Sequence, residues 1–110
     1  MFVGSCLVEL DLSHNSLVAL ELKAHTFLQT IDLSHNHLTD VRELAALKHC
    51  RSLNVSHNDL HSDEGLAPLQ MLQTLNLGHN PNLAELRDAG TLGSLMSLDA
   101  SHCESMSVLT

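Results

Sequence analysis

Tryptophan and tyrosine are missing from this chain, and phenylalanine occurs only at Phe2 and Phe27. Any core must therefore be aliphatic, and any binding face has few of the aromatic anchors that concentrate affinity at protein interfaces. Positive charge is scarce as well. Lys and Arg number 5 against 13 Asp and Glu, for a net charge of −8 at pH 7. That balance repels phosphate backbones and anionic lipid, which argues against nucleic acid and membrane surfaces as partners. No apolar run reaches the ~18 residues that a membrane span needs. The opening Met1-Phe2-Val3-Gly4-Ser5-Cys6 lacks the basic and hydrophobic regions of a secretory signal. Cys6, Cys50 and Cys103 form an odd set with no close pair, unlike a disulfide framework or a zinc knuckle. Cys50 and Cys103 are expected to be buried thiols in a reducing, cytoplasmic setting.

What the chain does contain is one frame written repeatedly. Leu28-Gln29-Thr30-Ile31-Asp32-Leu33-Ser34-His35-Asn36-His37-Leu38 reads apolar-x-x-apolar-x-apolar-x-x-Asn, with a further apolar residue just after. Copies start at Leu7, Leu28, Cys50, Leu72 and Leu95, offsets of 21, 22, 22 and 23 residues. A period of this size marks a solenoid, in which each repeat packs only on its neighbours. The repeats consume the whole chain, so residues 1–110 are expected to form a single repeat domain.

Within each frame the alternation at positions such as Leu10 and Leu12 has period two, which predicts a short strand with its apolar residues inward. Strands are expected at about 9–13, 30–34, 52–56, 74–78 and 97–101, all parallel because each is reached by the same crossover. After Asn36 the apolar residues fall at Val41, Leu44, Leu47 and Cys50, every third position. Copy three repeats that rhythm at Leu66, Leu69 and Leu72, and copy four at Ala89, Leu92 and Leu95. Spacing by three suits a short 3-10 or irregular return path. Val18 to Phe27, with Leu20 and Leu22, is the least regular return, and copy five stops at Thr110 before its own.

Three sets of side chains are singled out. Asn15, Asn36, Asn58 and Asn80, completed by Cys103, form a ladder just after the strands, where an inward amide can bond backbone groups of neighbouring turns. This ladder is structural. His14, His35, His57, His79 and His102 stand one per repeat beside it, and stacked imidazoles are candidate metal ligands. Their arrangement in a row, without recurring carboxylates or thiols at metal spacing, argues against a dedicated site and predicts no resident metal or other cofactor. The outward strand positions supply candidate partner contacts in three rows: Glu9, Thr30, Ser52, Thr74 and Ser97; Asp11, Asp32, Asn54, Asn76 and Asp99; and Ser13, Ser34 and Ser56, with Gly78 and Ser101 in the same row. Together they predict a shallow polar trough, acidic at its ends. No nucleophile elbow, phosphate-cradling loop or His-Glu-x-x-His motif occurs, so no catalytic set is assigned.

The frame resembles the leucine-rich repeat, whose consensus Leu-x-x-Leu-x-Leu-x-x-Asn/Cys-x-Leu the copies follow. The additional rhythm Asn-x-Leu-x-x-Val-x-x-Leu-x-x-Leu of copy two, shared at its leucines by copy three, is similar to the 22-residue subclass. That subclass includes the repeat-built regulatory subunit of protein phosphatase 1 and other intracellular adaptors. The resemblance implies an α/β solenoid: an arc with parallel strands on the concave face and short helical, 3-10 or irregular returns on the convex face. It also implies a non-enzymatic module that binds a protein on the concave strands, in a regulatory or adaptor role. A structural spacer, or a metal- or pH-responsive element built on the histidine row, is the alternative. Family members seal their ends with capping segments, whereas this chain begins and ends inside the pattern. It is therefore expected to be an uncapped piece of a longer array and to self-associate through its ends.

Overall fold

The computed structural model describes residues 9–18 and 27–105. Met1, Phe2, Cys6 and Leu7, Leu20 and Leu22 of the first return, and Met106 and Leu109 lie outside the described residues. Five strands, β1 (Glu9–Asp11), β2 (Thr30–Asp32), β3 (Ser52–Asn54), β4 (Thr74–Asn76) and β5 (Ser97–Asp99), form one parallel sheet in chain order. The register is constant: Leu10, Ile31, Leu53, Leu75 and Leu98 stand opposite one another along the sheet. Two 3-10 segments, η1 (Arg42–Ala46) and η2 (Ala89–Thr91), lie in the returns.

Each strand is three residues long where five were expected. The hydrogen-bond ladder nevertheless runs on, with Leu33 N–H donating to the Asn54 carbonyl (2.7 Å) and His35 N–H to that of Ser56 (3.1 Å). Extended geometry ends because the histidine of every repeat adopts positive φ, between 55° and 58°. This left-handed conformation is uncommon for a residue bearing a Cβ, although His is enriched there relative to most. It turns the chain out of the strand direction and swings the next residue, the ladder Asn, inward.

The return path follows the rhythm of three. Leu44, Leu47 and Cys50 each donate a backbone N–H to the carbonyl three residues earlier, at 3.0 Å. Copy three does the same from Leu66, Leu69 and Leu72. The core is a continuous aliphatic strip that includes Leu28, Leu33, Leu47, Val55, Leu60, Leu69 and Leu77, all fully buried. At the far end Leu98 is 42 % exposed where its register partners Leu53 and Leu75 are 1 % exposed. Among the described residues no helix is long and apolar enough to cross a membrane.

One position departs from the apolar rhythm. The slot filled by Val41 in copy two holds Asp63 in copy three, and that carboxylate is fully buried. It remains inside because four backbone contacts satisfy it. Arg87 and Asp88 N–H donate to Oδ1 (2.8 and 3.1 Å), and Asp88 and Ala89 N–H donate to Oδ2 (3.1 and 2.8 Å).

Candidate binding face and histidine column

The outward face of the sheet is built by the register. Glu9, Thr30, Ser52, Thr74 and Ser97 stand side by side as its first row, exposed except for the half-buried Ser52. The second row is less free than the sequence suggests. Asp32 Oδ1 accepts both the N–H (3.0 Å) and the hydroxyl (2.7 Å) of Ser34. Asp11 holds Ser13, and Asn54 holds Ser56, in the same way. Asn76 and Asp99 accept the N–H of Gly78 and Ser101. These are Asx turns closing each strand end, and their signature, Asp/Asn-x-Ser/Gly once per repeat, is present in the sequence. Hydrogen bonds from Ser13 hold the Asp11 carboxyl below its ordinary range, and those from Ser101 do the same for Asp99.

The third row is open only at its ends, where Ser13 is half-buried and Ser101 exposed. Ser34 and Ser56 are buried, at 6 % and 5 % exposure, so they close the floor beneath the face rather than line an open trough. The exposed part of this face is therefore the first row and the outer edges of Asp11, Asp32, Asn54, Asn76 and Asp99.

Behind the face the ladder side chains bond backbone groups of neighbouring repeats. Asn58 Nδ2 donates to the carbonyls of Leu33 (3.1 Å), Val55 and Ser56 (3.0 Å each). Its Oδ1 accepts the Leu38 N–H at 3.0 Å, so one side chain ties two repeats together. Asn36 and Asn80 repeat the pattern. Cys103 occupies the last rung, its thiol donating to the Leu77 carbonyl at 3.3 Å. Asn15, the first rung, is exposed. Cys50 fills a leucine slot, and burial pushes its thiol up to about 12. Among the described residues Cys50 and Cys103 are free thiols.

The histidine row is a column. Rings of His14, His35, His57, His79 and His102 lie face to face with centroids 4.1–4.3 Å apart and planes within 15°. Faces rather than nitrogens meet, so neighbouring lone pairs run parallel and do not converge on a point. Among the described residues no group of three or more His, Cys, Asp or Glu is placed to hold a metal ion. Burial by its neighbours, reinforced by their positive charge when protonated, pushes the pKa of central His57 below the ordinary imidazole value.

Two features escaped the sequence reading. One is the left-handed backbone at each histidine. The other is the carboxylate pair Asp63 and Asp88, whose only sequence signal is an acid in an apolar slot.

Comparison with known proteins agrees with this geometry. The leucine rich repeat family model matches residues 5–60, half of the chain. No curated protein sequence matches. Among solved structures, the chain is similar to an internalin (InlF) from Listeria monocytogenes, with 25% identity and a TM-score of 0.82. That match covers 87% of this chain and 28% of the other. It is also similar in fold to the functional domain of InlJ from Listeria monocytogenes, described as including a cysteine ladder, with 17% identity and a TM-score of 0.60. That match covers 100% of this chain and 29% of the other. The chain thus spans less than a third of either relative. These matches do not support the narrower likeness to the phosphatase regulatory subunit. Proteins of this repeat class are in general protein-binding scaffolds, and nothing in the geometry shows catalysis. With its frame, constant register, Asn ladder and parallel sheet, the chain belongs to the leucine rich repeat family.

Proposed function

We propose that the chain is a non-enzymatic protein-binding module whose outward sheet face receives a protein partner. The observation that carries this reading is the first-row strip from Glu9 to Ser97, in register across five strands and largely exposed. Its side chains are short, and the Asx turns and Asn ladder beneath hold the backbone still. A preorganised face loses little conformational freedom on binding, which favours recognition even by modest contacts. An intracellular regulatory or adaptor role, of the kind found in the phosphatase-type subclass, belongs to the same proposal. The free buried thiols of Cys50 and Cys103 support it, since such thiols suit a reducing compartment. Residues 1–110 are read as one repeat domain. The exposure of Leu98 beside the outer edge of β5 supports association there with another strand.

The test is affinity capture with the native chain against a Thr30→Lys/Thr74→Lys variant. Both threonines are exposed, so the fold should survive. Proteins captured by the native chain and lost with the variant are expected. An unchanged captured set would remove the sheet face from the interaction.

A second reading rests on the histidine column, whose rings would repel one another once protonated. It makes the column a proton-responsive element, or an adventitious zinc binder once rings rotate. Zinc titration followed by imidazole NMR shifts tests the metal half of this reading; unshifted imidazole signals would eliminate it.

A further inference from the structure

The rim at the N-terminal ends of the strands has a chemistry of its own. Arg51 N–H donates to the Gln29 carbonyl, Gln73 N–H to that of Arg51 and Met96 N–H to that of Gln73, each at 2.8 Å, so these residues stack in a row just before the strands. Two positions earlier stand Phe27, His49 and Met71, with the Phe27 and His49 rings 5.0 Å apart. Three of the exposed large apolar side chains fall on this rim: Phe27 (55 %), Met71 (37 %) and Met96 (83 %). None of the chain's 13 acidic residues lies in the rim segments 27–29, 48–51, 70–73 or 93–96, which end just before the strands. Lys48 and Arg51 both do, and both are exposed. Among the described residues the ion pairs are His37–Asp59 and Arg87–Glu85, and neither Lys48 nor Arg51 is in one of them.

We infer that this rim is a docking strip for an acidic, amphipathic segment of another protein, in which carboxylates alternate with apolar side chains. The carboxylates pair with Lys48 and Arg51, and the apolar side chains cover Phe27, Met71 and Met96. Repeats stack at about 4.8 Å, so the strip takes an extended segment of about five residues. Charge complementarity selects this occupant, because an acid-free strip carrying Lys48 and Arg51 attracts an acidic peptide that the rest of a chain of net charge −8 tends to repel. An anionic membrane offers the same groups but meets the acidic remainder of the molecule as well. The strip lies on the edge of the sheet rather than on its face, and is independent of the partner proposed above.

The experiment is fluorescence anisotropy with a labelled peptide of alternating glutamate and leucine, beside its lysine–leucine counterpart. Saturable binding of the first alone is expected, weakening with added salt because exposed charges are screened. Lys48→Glu/Arg51→Glu should weaken it at least about tenfold, the scale expected for reversing charges at an interface. Lys48→Gln/Arg51→Gln, which extends the Gln29 and Gln73 row, gives an intermediate loss with the fold kept by construction. Phe27→Ser/Met96→Ser weakens binding with the charges intact, and Thr30→Lys/Thr74→Lys does not reduce it. Equal binding of both peptides, indifference to the Lys48 and Arg51 changes, or loss with the threonine variant would each overturn the assignment. So would binding to phosphatidylserine vesicles with none to the glutamate–leucine peptide.

Discussion

Asp63 and Asp88 each hold the other's turn. Asp63 accepts the N–H groups of Arg87, Asp88 and Ala89 at the head of η2, while Asp88 Oδ2 accepts those of Gly65, Leu66 and Ala67 at 2.7, 3.1 and 3.2 Å. Two carboxylates thus do on the convex wall what asparagines do beside the sheet. Asp63→Ala leaves buried N–H groups unpaired and should cost about 3 kcal/mol. Asp63→Asn should be nearly as costly, since its amide presents donors to donors. Urea melting checks both, and a loss near zero would show that the pair does not bear on stability.

Asn36→Leu is expected to destabilise by about 2–3 kcal/mol through orphaned backbone groups, and Asn82→Leu by less than about 0.5 kcal/mol. Asn36 is buried and bonded to two repeats, whereas Asn82 is exposed in the one-residue insertion after Pro81. Equal melting midpoints would contradict the register of copy four.

Leu33→Ala should cost about 2–5 kcal/mol, the range for a fully buried leucine. Because each repeat is stabilised by its neighbours, amide exchange should accelerate in the flanking repeats too.

Gly65→Ala should be damaging out of proportion to its one added methyl. Gly65 has φ +113°, and a Cβ there would lie 2.6 Å from the Arg42 Cα. The turn it makes also delivers its N–H to Asp88. A thermal midpoint within a degree or so of the native value would mean that the turn relaxes freely.

Acid should loosen the histidine column before it reaches the carboxylates. The His57 pKa is lowered in the folded state by burial and by its ring neighbours, so the unfolded chain binds the proton more readily. Stability from this source is complete above the ordinary imidazole value of about 6.5 and declines as pH falls through it. The Asp11 and Asp99 carboxyls are also lowered, by hydrogen bonds from Ser13 and Ser101, so their contribution is lost only at more acid pH, as they protonate. His57→Gln should flatten the first phase and leave the second, as read by urea midpoints across the pH range.

Much of the architecture was legible without coordinates because a repeat states its contacts many times. Leu53 and Leu75 are buried where period two places them, and Val41, Leu44, Leu47 and Cys50 where period three does. The binding face was legible as rows but not as surfaces. Ser34 and Ser56 sit in outward positions and are buried all the same, with a repeat on either side of each, whereas Ser13 in the first described repeat makes the same bonds and is only half-buried.

By itself the sequence determined the repeat, its phase, the inward Asn ladder and the aliphatic strip, since all of these depend on residue spacing along one strand and one return. Tertiary structure decided what depends on neighbours a full repeat away. The histidines become a column only because the register is constant and each adopts positive φ. Asp63 is tolerated in an apolar slot only because backbone N–H groups 24 to 26 residues later turn toward it. Phe27, Lys48, Arg51, Met71 and Met96 share a rim only once the strands are stacked. Contacts of that kind are set by the pitch of the solenoid, which no local pattern of residues specifies.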